Sequence, residues 1–297
     1  MLERQARFVA AKFLEAFDNT QRIYLALTSA GCVALFLLVA RGMGWPVYLR
    51  LEASLLASAS PLLGIAAVAF GMLTSIILAS LFLGRLRYEA GLFTACIGLA
   101  AMAARGGTVG SMLRAMGKPQ IYRTMLMETV MLLGMLGLAW QLLALLAAKG
   151  WLRQEPPRGE NELPGTIAQT IMATLVQATV TGLLIVLLAQ VDSKKQIMAA
   201  VAIASMLGAT AAHQAFPVRP SAAFWVGPFL TGIVGYAWAM RAPGQWMTGL
   251  PANALAMASP LDYASLGTAG AIYGYWTSRQ WREGAVEIEL AEDALDD

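Results

Sequence analysis

The feature that most restricts the fold of this chain is a series of eight apolar segments that are almost free of charge. Most of them approach or exceed the roughly 20 residues that a helix needs to cross the hydrocarbon core of a bilayer. Charged residues make up only 13% of the chain, about half the share in typical soluble domains. Because backbone polar groups in lipid must be hydrogen-bonded internally, such segments are expected to be helices. The sequence therefore predicts an all-α integral membrane protein, a bundle of six to eight transmembrane helices. The segments are Ile23–Ala40, Ala53–Gly84, Ala90–Ala104, Thr124–Ala148, Thr166–Val191, Gln196–Val218, Pro220–Met240 and Ala254–Trp276.

The two ends of the chain differ from the apolar body between them. Residues 1–22 combine charges with an apolar stripe at helical spacing, which predicts a short amphipathic helix. Such a helix would lie on the membrane surface, dock on a partner or extend the first span. Residues 280–297 are strongly acidic, which predicts a disordered tail, with a docking motif for a basic groove as the alternative. Residues 23–279 form the expected transmembrane domain.

The distribution of Lys and Arg predicts the orientation, because short cytoplasmic loops of membrane proteins are rich in these residues. If all eight segments cross and the N-terminus is inside, 12 basic residues lie inside and 9 outside. If Ala90–Ala104 and Ala254–Trp276 do not cross, the split becomes 15 to 6, so these two are the weakest candidates for spans. The composition, rich in Arg, Ala and Gly, suggests a bacterial source. We expect a multi-pass protein of the inner (plasma) membrane with a cytoplasmic N-terminus.

Polar side chains form a stripe along one face of the fifth apolar segment. Its members follow one another at intervals of three or four residues, which confines them to an arc of about 80° on a helix. A stripe of this length is expected to face protein or a water-filled path rather than lipid. Hydrogen bonding to neighbouring helices is the favoured interpretation, and a solute path is the alternative. The stripe consists of Thr166, Thr170, Thr174, Gln177 and Thr181, with Gln169 beside it.

A glycine-rich break follows the short third segment at Arg105, Gly106 and Gly107. If the chain stays within the membrane there, Arg105 is an intramembrane cation at a broken helix, as found in anion and substrate sites. The favoured interpretation is instead a helix that ends at the glycines, with the Arg105 side chain reaching the lipid headgroups.

The last segment holds a carboxylate and closely spaced glycines. Asp262 follows Pro260 and is expected to cap a helix, with a functional carboxylate in the membrane as the alternative. Gly270 and Gly274 have GxxxG spacing, and together with Gly267 they predict close packing against a second helix.

Glu128 and His213 are the other candidate titratable groups, and each lies in an otherwise nearly uncharged segment. A proton-coupled role is possible for an intramembrane carboxylate, and a lone histidine can titrate near neutral pH. We favour a structural role for both, as an ion-paired carboxylate near a helix end and a hydrogen-bonded histidine.

The sequence contains no HExxH, GxSxG, P-loop or Rossmann motif and no histidine cluster. Its two cysteines lie in apolar segments without metal-binding spacing, and its basic residues are too scattered to indicate nucleic-acid binding. We therefore predict a non-catalytic protein without a cofactor or metal. Its expected partners are the lipid bilayer and either another membrane protein or a second copy of itself.

The predicted function is a membrane scaffold or anchoring subunit of a larger assembly. The alternative is a small-solute transporter or channel that uses the polar stripe. A lipid-active enzyme that depends on Glu128 or Asp262 is a third and less favoured hypothesis.

Overall fold

The computed structural model describes residues 19–42, 54–58, 60–83, 88–116, 120–151, 166–242 and 250–296. Within these ranges every regular element is helical, which confirms the predicted all-α class. The α-helices are α1 (Asn19–Gly42), α2 (Pro61–Leu83), α3 (Tyr88–Ala103), α4 (Val109–Met116), α5 (Gln120–Ala148), α6 (Ile167–Leu188), α7 (Lys194–Ala215), α8 (Ala222–Trp225), α9 (Gly227–Ala239), α10 (Pro260–Asp262) and α11 (Thr268–Asp296). A 3-10 turn at Ala254–Met257 precedes α10, and a π-helical turn at Tyr263–Gly267 joins α10 to α11.

Six helical stretches in the described ranges are long and apolar enough to cross a membrane: α1, α2, α5, α6, α7 and the joined pair α8 and α9. Helix α3 is apolar but shorter, and the last apolar segment is divided among a 3-10 turn, α10, the π-helical turn and α11. These two exceptions are the same segments that the distribution of basic residues disfavoured as spans. Six is thus the lower limit of the predicted range.

Helix α7 packs between α6 and α11, and small residues set the distances between these helices. A Cβ added to Gly270 would lie 2.4 Å from the carbonyl oxygen of Ala202, and one added to Gly274 would lie 2.1 Å from that of Met206. The residue numbers of the contacting pairs increase together, from Gly270 with Ala202 to Gly274 with Met206, so α11 runs parallel to α7. A Cβ at Gly208 of α7 would meet Thr181 Oγ1 of α6 at 2.4 Å, so small residues also allow close contact on this side.

Helices α1, α2 and α3 pack around one aromatic side chain, Phe36, which is fully buried. A Cβ on Gly71 of α2 or on Gly98 of α3 would lie 2.6 Å from the Phe36 ring. The ring therefore occupies the space that these two glycines leave, which explains why a bulky residue fits at a contact among three helices.

The outer faces of several long helices expose large apolar side chains. Leu38 on α1, Leu62 on α2, Leu138 on α5 and Ile167 on α6 are each at least 67% exposed. Large apolar side chains exposed on several long helices indicate contact with lipid or with another protein. The outer surface therefore agrees with the membrane location that the six apolar helices suggest.

The ends of the chain are only partly described. The predicted amphipathic segment at 1–22 lies outside the described residues, apart from its last four. At the other end, helix α11 continues to Asp296, so the backbone is helical where the sequence predicted a disordered tail from residue 280. The difference has a local reason, since Ala, Glu and Leu are frequent in this stretch and favour helix strongly.

Candidate functional site

The last apolar segment is broken near one end of the bundle, and the break positions a buried carboxylate. Ser259 is the N-cap of α10, and its hydroxyl oxygen accepts a hydrogen bond from the Asp262 N–H at 3.3 Å. The Asp262 carboxylate in turn accepts hydrogen bonds from the Ser259 N–H at 2.8 Å and the Ser259 hydroxyl at 2.9 Å. The π-helical turn follows at once, a rare geometry that is frequent at functional sites.

A lysine from another helix pairs with this carboxylate. Lys194, the first residue of α7, places its Nζ 2.8 Å from Asp262 Oδ1 and 2.9 Å from Oδ2. The Asp262 side chain is 1% exposed and the Lys194 side chain 14% exposed, so this is a buried ion pair. Its partners come from positions 68 residues apart, and no spacing rule in the sequence could have paired them.

Glu128 is the second buried carboxyl group of this region. It lies eight residues after the start of α5, roughly 12 Å along the helix. One oxygen, Oε2, accepts a hydrogen bond from the Ser54 hydroxyl at 2.5 Å and one from the Leu56 N–H at 3.1 Å. The other oxygen, Oε1, is buried and has no hydrogen-bond partner among the described residues. Lys194 is within electrostatic range of Glu128, so Glu128, Lys194 and Asp262 form one group, termed here the carboxyl–lysine cluster.

Three buried tyrosines bond to the segment 250–258, which contains the 3-10 turn, beside this cluster. The Tyr122 hydroxyl oxygen accepts a hydrogen bond from the Ala252 N–H at 3.1 Å. The hydroxyl groups of Tyr236 and Tyr263 donate to carbonyl oxygens of the segment, at 2.5 and 2.8 Å respectively. Tyr236 also interacts electrostatically with both carboxyl groups of the cluster. Irregular backbone is tolerated at membrane depth only where it is buried or lines a cavity, and these bonds satisfy part of that requirement.

The polar stripe on α6 divides into two parts. Toward the start of the helix, Thr166 caps α6 together with Gln169, while Thr170 and Thr174 donate to carbonyl oxygens one turn earlier in the same helix. Further along, Gln177 and Thr181 are fully buried against α7. Their side chains donate across the interface to the carbonyl oxygens of Ser205 and Ala204, both at 3.4 Å.

The glycine-rich break at Arg105 ends helix α3. Arg105 is exposed, and its N–H donates to the Met102 carbonyl oxygen at 3.1 Å in a final turn. Gly106 and Gly107 lead from there to Thr108, whose Oγ1 accepts a hydrogen bond from the Ser111 N–H and so caps α4.

His213 lies toward the other end of α7, apart from the carboxyl–lysine cluster. Its side chain is fully buried, with Nδ1 2.8 Å from Ser278 Oγ on α11. The ring makes edge contacts with Phe224 and Tyr275. His213 thus joins α7, α8 and α11 in one buried contact.

The three glycines of the last segment lie at close helix contacts. Gly270 and Gly274 pack on the α7 backbone as described above, and a Cβ on Gly267 would lie 2.9 Å from Pro228 on α9. A further buried contact, in which Trp276 Nε1 donates to Glu89 Oε2 at 2.9 Å, was not predicted. Its partners lie 187 residues apart, and nothing in the sequence pairs them.

The structure therefore brings two of the sequence candidates, Glu128 and Asp262, into one cluster through Lys194, which the sequence analysis had not selected. It places Arg105 and His213 elsewhere. Among the described residues, no group of three His, Cys, Asp or Glu side chains is arranged to hold a metal ion. The chemistry that the cluster can perform is the binding or transfer of protons, because carboxyl and ammonium groups share a buried environment. No family model, curated protein or solved structure matches this chain.

Proposed function

We propose that this chain is a multi-pass integral protein of a bacterial inner membrane, with a cytoplasmic N-terminus, and that it acts as a non-catalytic scaffold or anchoring subunit of a larger assembly. The main support is how the polar groups of α6 are used. Gln177 and Thr181, the last two members of the stripe, donate to backbone carbonyl oxygens of α7, as polar residues do when they hold membrane helices together.

The outer helices supply the surface that a scaffold needs. Helix α6 carries Ile171, Leu175 and Leu183 on its exposed side, between 49% and 62% exposed. Beside lipid, such a face can also receive a helix of a partner protein, since association in membranes depends on close packing rather than on water exclusion.

Crosslinking from this face tests the proposal. A photoreactive residue placed at Leu183 should give an adduct of one discrete protein mass in native membranes, either with a partner or with a second copy. The matched control is Ala173, which is fully buried on the same helix and should give only crosslinks within the chain. The scaffold proposal would be contradicted if probes at Ile171, Leu175 and Leu183 gave only lipid adducts and the protein purified as a lone monomer in mild detergent.

The second candidate is a small-solute transporter or channel, and the carboxyl–lysine cluster favours it. Ionisable groups inside membrane proteins are costly and often mark ion or substrate pathways. The last apolar segment is divided into short helical pieces beside a buried ion pair, which also resembles the broken helices of transporters.

Substitution of Gln177 by leucine distinguishes the two candidates. If the chain is a scaffold, Gln177→Leu removes one interhelical hydrogen bond and costs about 1 kcal/mol of stability, measured by thermal denaturation in detergent. Reconstituted vesicles should show no solute flux with either wild type or variant. The matched control is Thr179→Leu on the exposed side of α6, which should leave stability unchanged. Flux in the wild type that Gln177→Leu abolishes and Thr179→Leu preserves would establish the transporter instead.

A further inference from the structure

We propose that Glu128 is a proton-binding site that takes up and releases a single proton, and that its proton occupancy is linked to the Lys194–Asp262 ion pair. The site is independent of whether the chain is a scaffold or a transporter. Its ligand is the proton itself, bound at Glu128 Oε1.

The two carboxyl groups of the cluster differ in what surrounds them. Asp262 receives the Lys194 ammonium group and two hydrogen bonds from Ser259. A carboxylate with three donors, one of them charged, is stable as an anion even when it is buried. Lys194 and Asp262 therefore neutralise each other, and no full positive charge is left for Glu128.

Both oxygens of Asp262 lie within 2.9 Å of Lys194 Nζ, whereas the described residues give Glu128 hydrogen-bond donors on only one oxygen. Oε2 accepts the bonds from Ser54 and Leu56, whereas Oε1 is buried without a hydrogen-bond partner among the described residues. An ionised Glu128 would keep negative charge on an oxygen that has no hydrogen-bond partner among the described residues, which is costly in an apolar interior. A proton on Oε1 removes this charge and leaves Oε2 as the carbonyl oxygen that accepts both bonds.

A metal cation fits this site less well than a proton does. Hard cations bind several oxygen ligands at once, and Glu128 has one free oxygen here. The described residues also hold no group of three metal-ligating side chains, with or without Glu128. A single protonatable oxygen needs none of these additional ligands.

The groups around Glu128 determine what proton release would change. Tyr122 lies on the same helix, Tyr236 on α9 and Tyr263 on the π-helical turn, and all three are buried neutral groups. Among the described residues, Lys194 is the cation that acts on Glu128, and Asp262 is its present partner. Release of the proton would create a second anion near Lys194, which would weaken its hold on Asp262 at the junction of α10 and the π-helical turn. The Ser54 and Leu56 bonds would extend the effect to the segment before α2.

Infrared difference spectra of the purified full-length protein, recorded across a pH series, test the proposal. Wild type should show a neutral-carboxyl C=O band that disappears as pH rises. Glu128→Gln should lose this band. Glu89→Gln, a substitution of another buried carboxyl group that bonds Trp276 instead, should keep it. A wild type without a titrating band, or the same band in Glu128→Gln, would overturn the proposal.

A second variant keeps the test decisive if Glu128→Gln does not fold. Ser54→Ala removes one of the two donors to Oε2 and leaves the carboxyl group in place. The neutral-carboxyl band should then move to higher frequency, because a C=O bond stiffens when it loses a hydrogen-bond donor. A band at unchanged frequency in Ser54→Ala would show that it does not belong to Glu128, and would overturn the assignment.

Discussion

Replacement of Gly274 by alanine is expected to destabilise the bundle severely. The added methyl carbon would lie 2.1 Å from the carbonyl oxygen of Met206 on α7, far closer than any non-bonded contact permits. The colliding atom belongs to a helix backbone, so no side-chain rotation can relieve the clash and the two helices must separate. We expect a loss of about 3 kcal/mol, at the upper end of the cost of overpacking, measured as the unfolding temperature and the monodisperse fraction in detergent.

The same change at an open position provides the control. A Cβ on Gly137 of α5 would meet nothing within 4 Å apart from its own helix. Gly137→Ala should therefore be neutral or stabilise the protein by up to about 1 kcal/mol, because alanine favours helix more than glycine does. Equal unfolding temperatures of the Gly274→Ala and Gly137→Ala variants would mean that α7 and α11 do not pack as closely as the Gly274 contact requires.

Substitution of Lys194 by methionine is the second change with a large expected effect. It removes the cation while Asp262 stays 1% exposed and ionisable, so a buried carboxylate loses its charged partner. Removing one partner of a buried ion pair costs about 3 to 5 kcal/mol of stability. Replacing both partners by apolar residues costs much less, because no unpaired charge is left in the interior. The measurement is again thermal unfolding in detergent.

The double variant Lys194→Met with Asp262→Asn should recover most of this loss, because the asparagine has no charge and its side-chain oxygen can still accept the two hydrogen bonds from Ser259. Arg114→Met is the matched control. Arg114 pairs with Asp192 at 3.3 Å, but its side chain is 54% exposed, and such pairs contribute less than about 1 kcal/mol. A double variant as unstable as Lys194→Met alone would show that the cost does not come from the unpaired carboxylate.

Elements that depend on local sequence were predicted well. The all-helical class and the long apolar helices follow from uninterrupted apolar runs, since such a run has few stable alternatives to a helix. The basic-residue distribution also marked the two weakest spans, now seen as a short helix α3 and a last segment broken around Asp262. The acidic composition beyond residue 280 predicts disorder, whereas the backbone is helical to Asp296, in keeping with the helix preference of its alanines, glutamates and leucines.

The candidate site was predicted only in part, because it is assembled from distant positions. Glu128 and Asp262 were selected individually, since a charge in an apolar segment is conspicuous. Lys194 was not, because a lysine at the start of a helix after a polar connection resembles an ordinary interfacial residue. Only the packing of α7 against the broken last segment shows that its side chain is 14% exposed and that its ammonium group is bonded to Asp262.

The sequence by itself determined that this chain forms apolar helices and where most of them begin and end, because hydropathy and helix propensity act over a few turns of contiguous chain. It also marked the side chains that are costly to bury. The tertiary structure alone decided their partners: Gln177 with the α7 backbone, Glu128 with Ser54, and Asp262 with Lys194. The physical reason is that a buried polar group is stabilised by whichever donor or acceptor the packing brings to it, and that neighbour is set by helix contacts rather than by position along the chain.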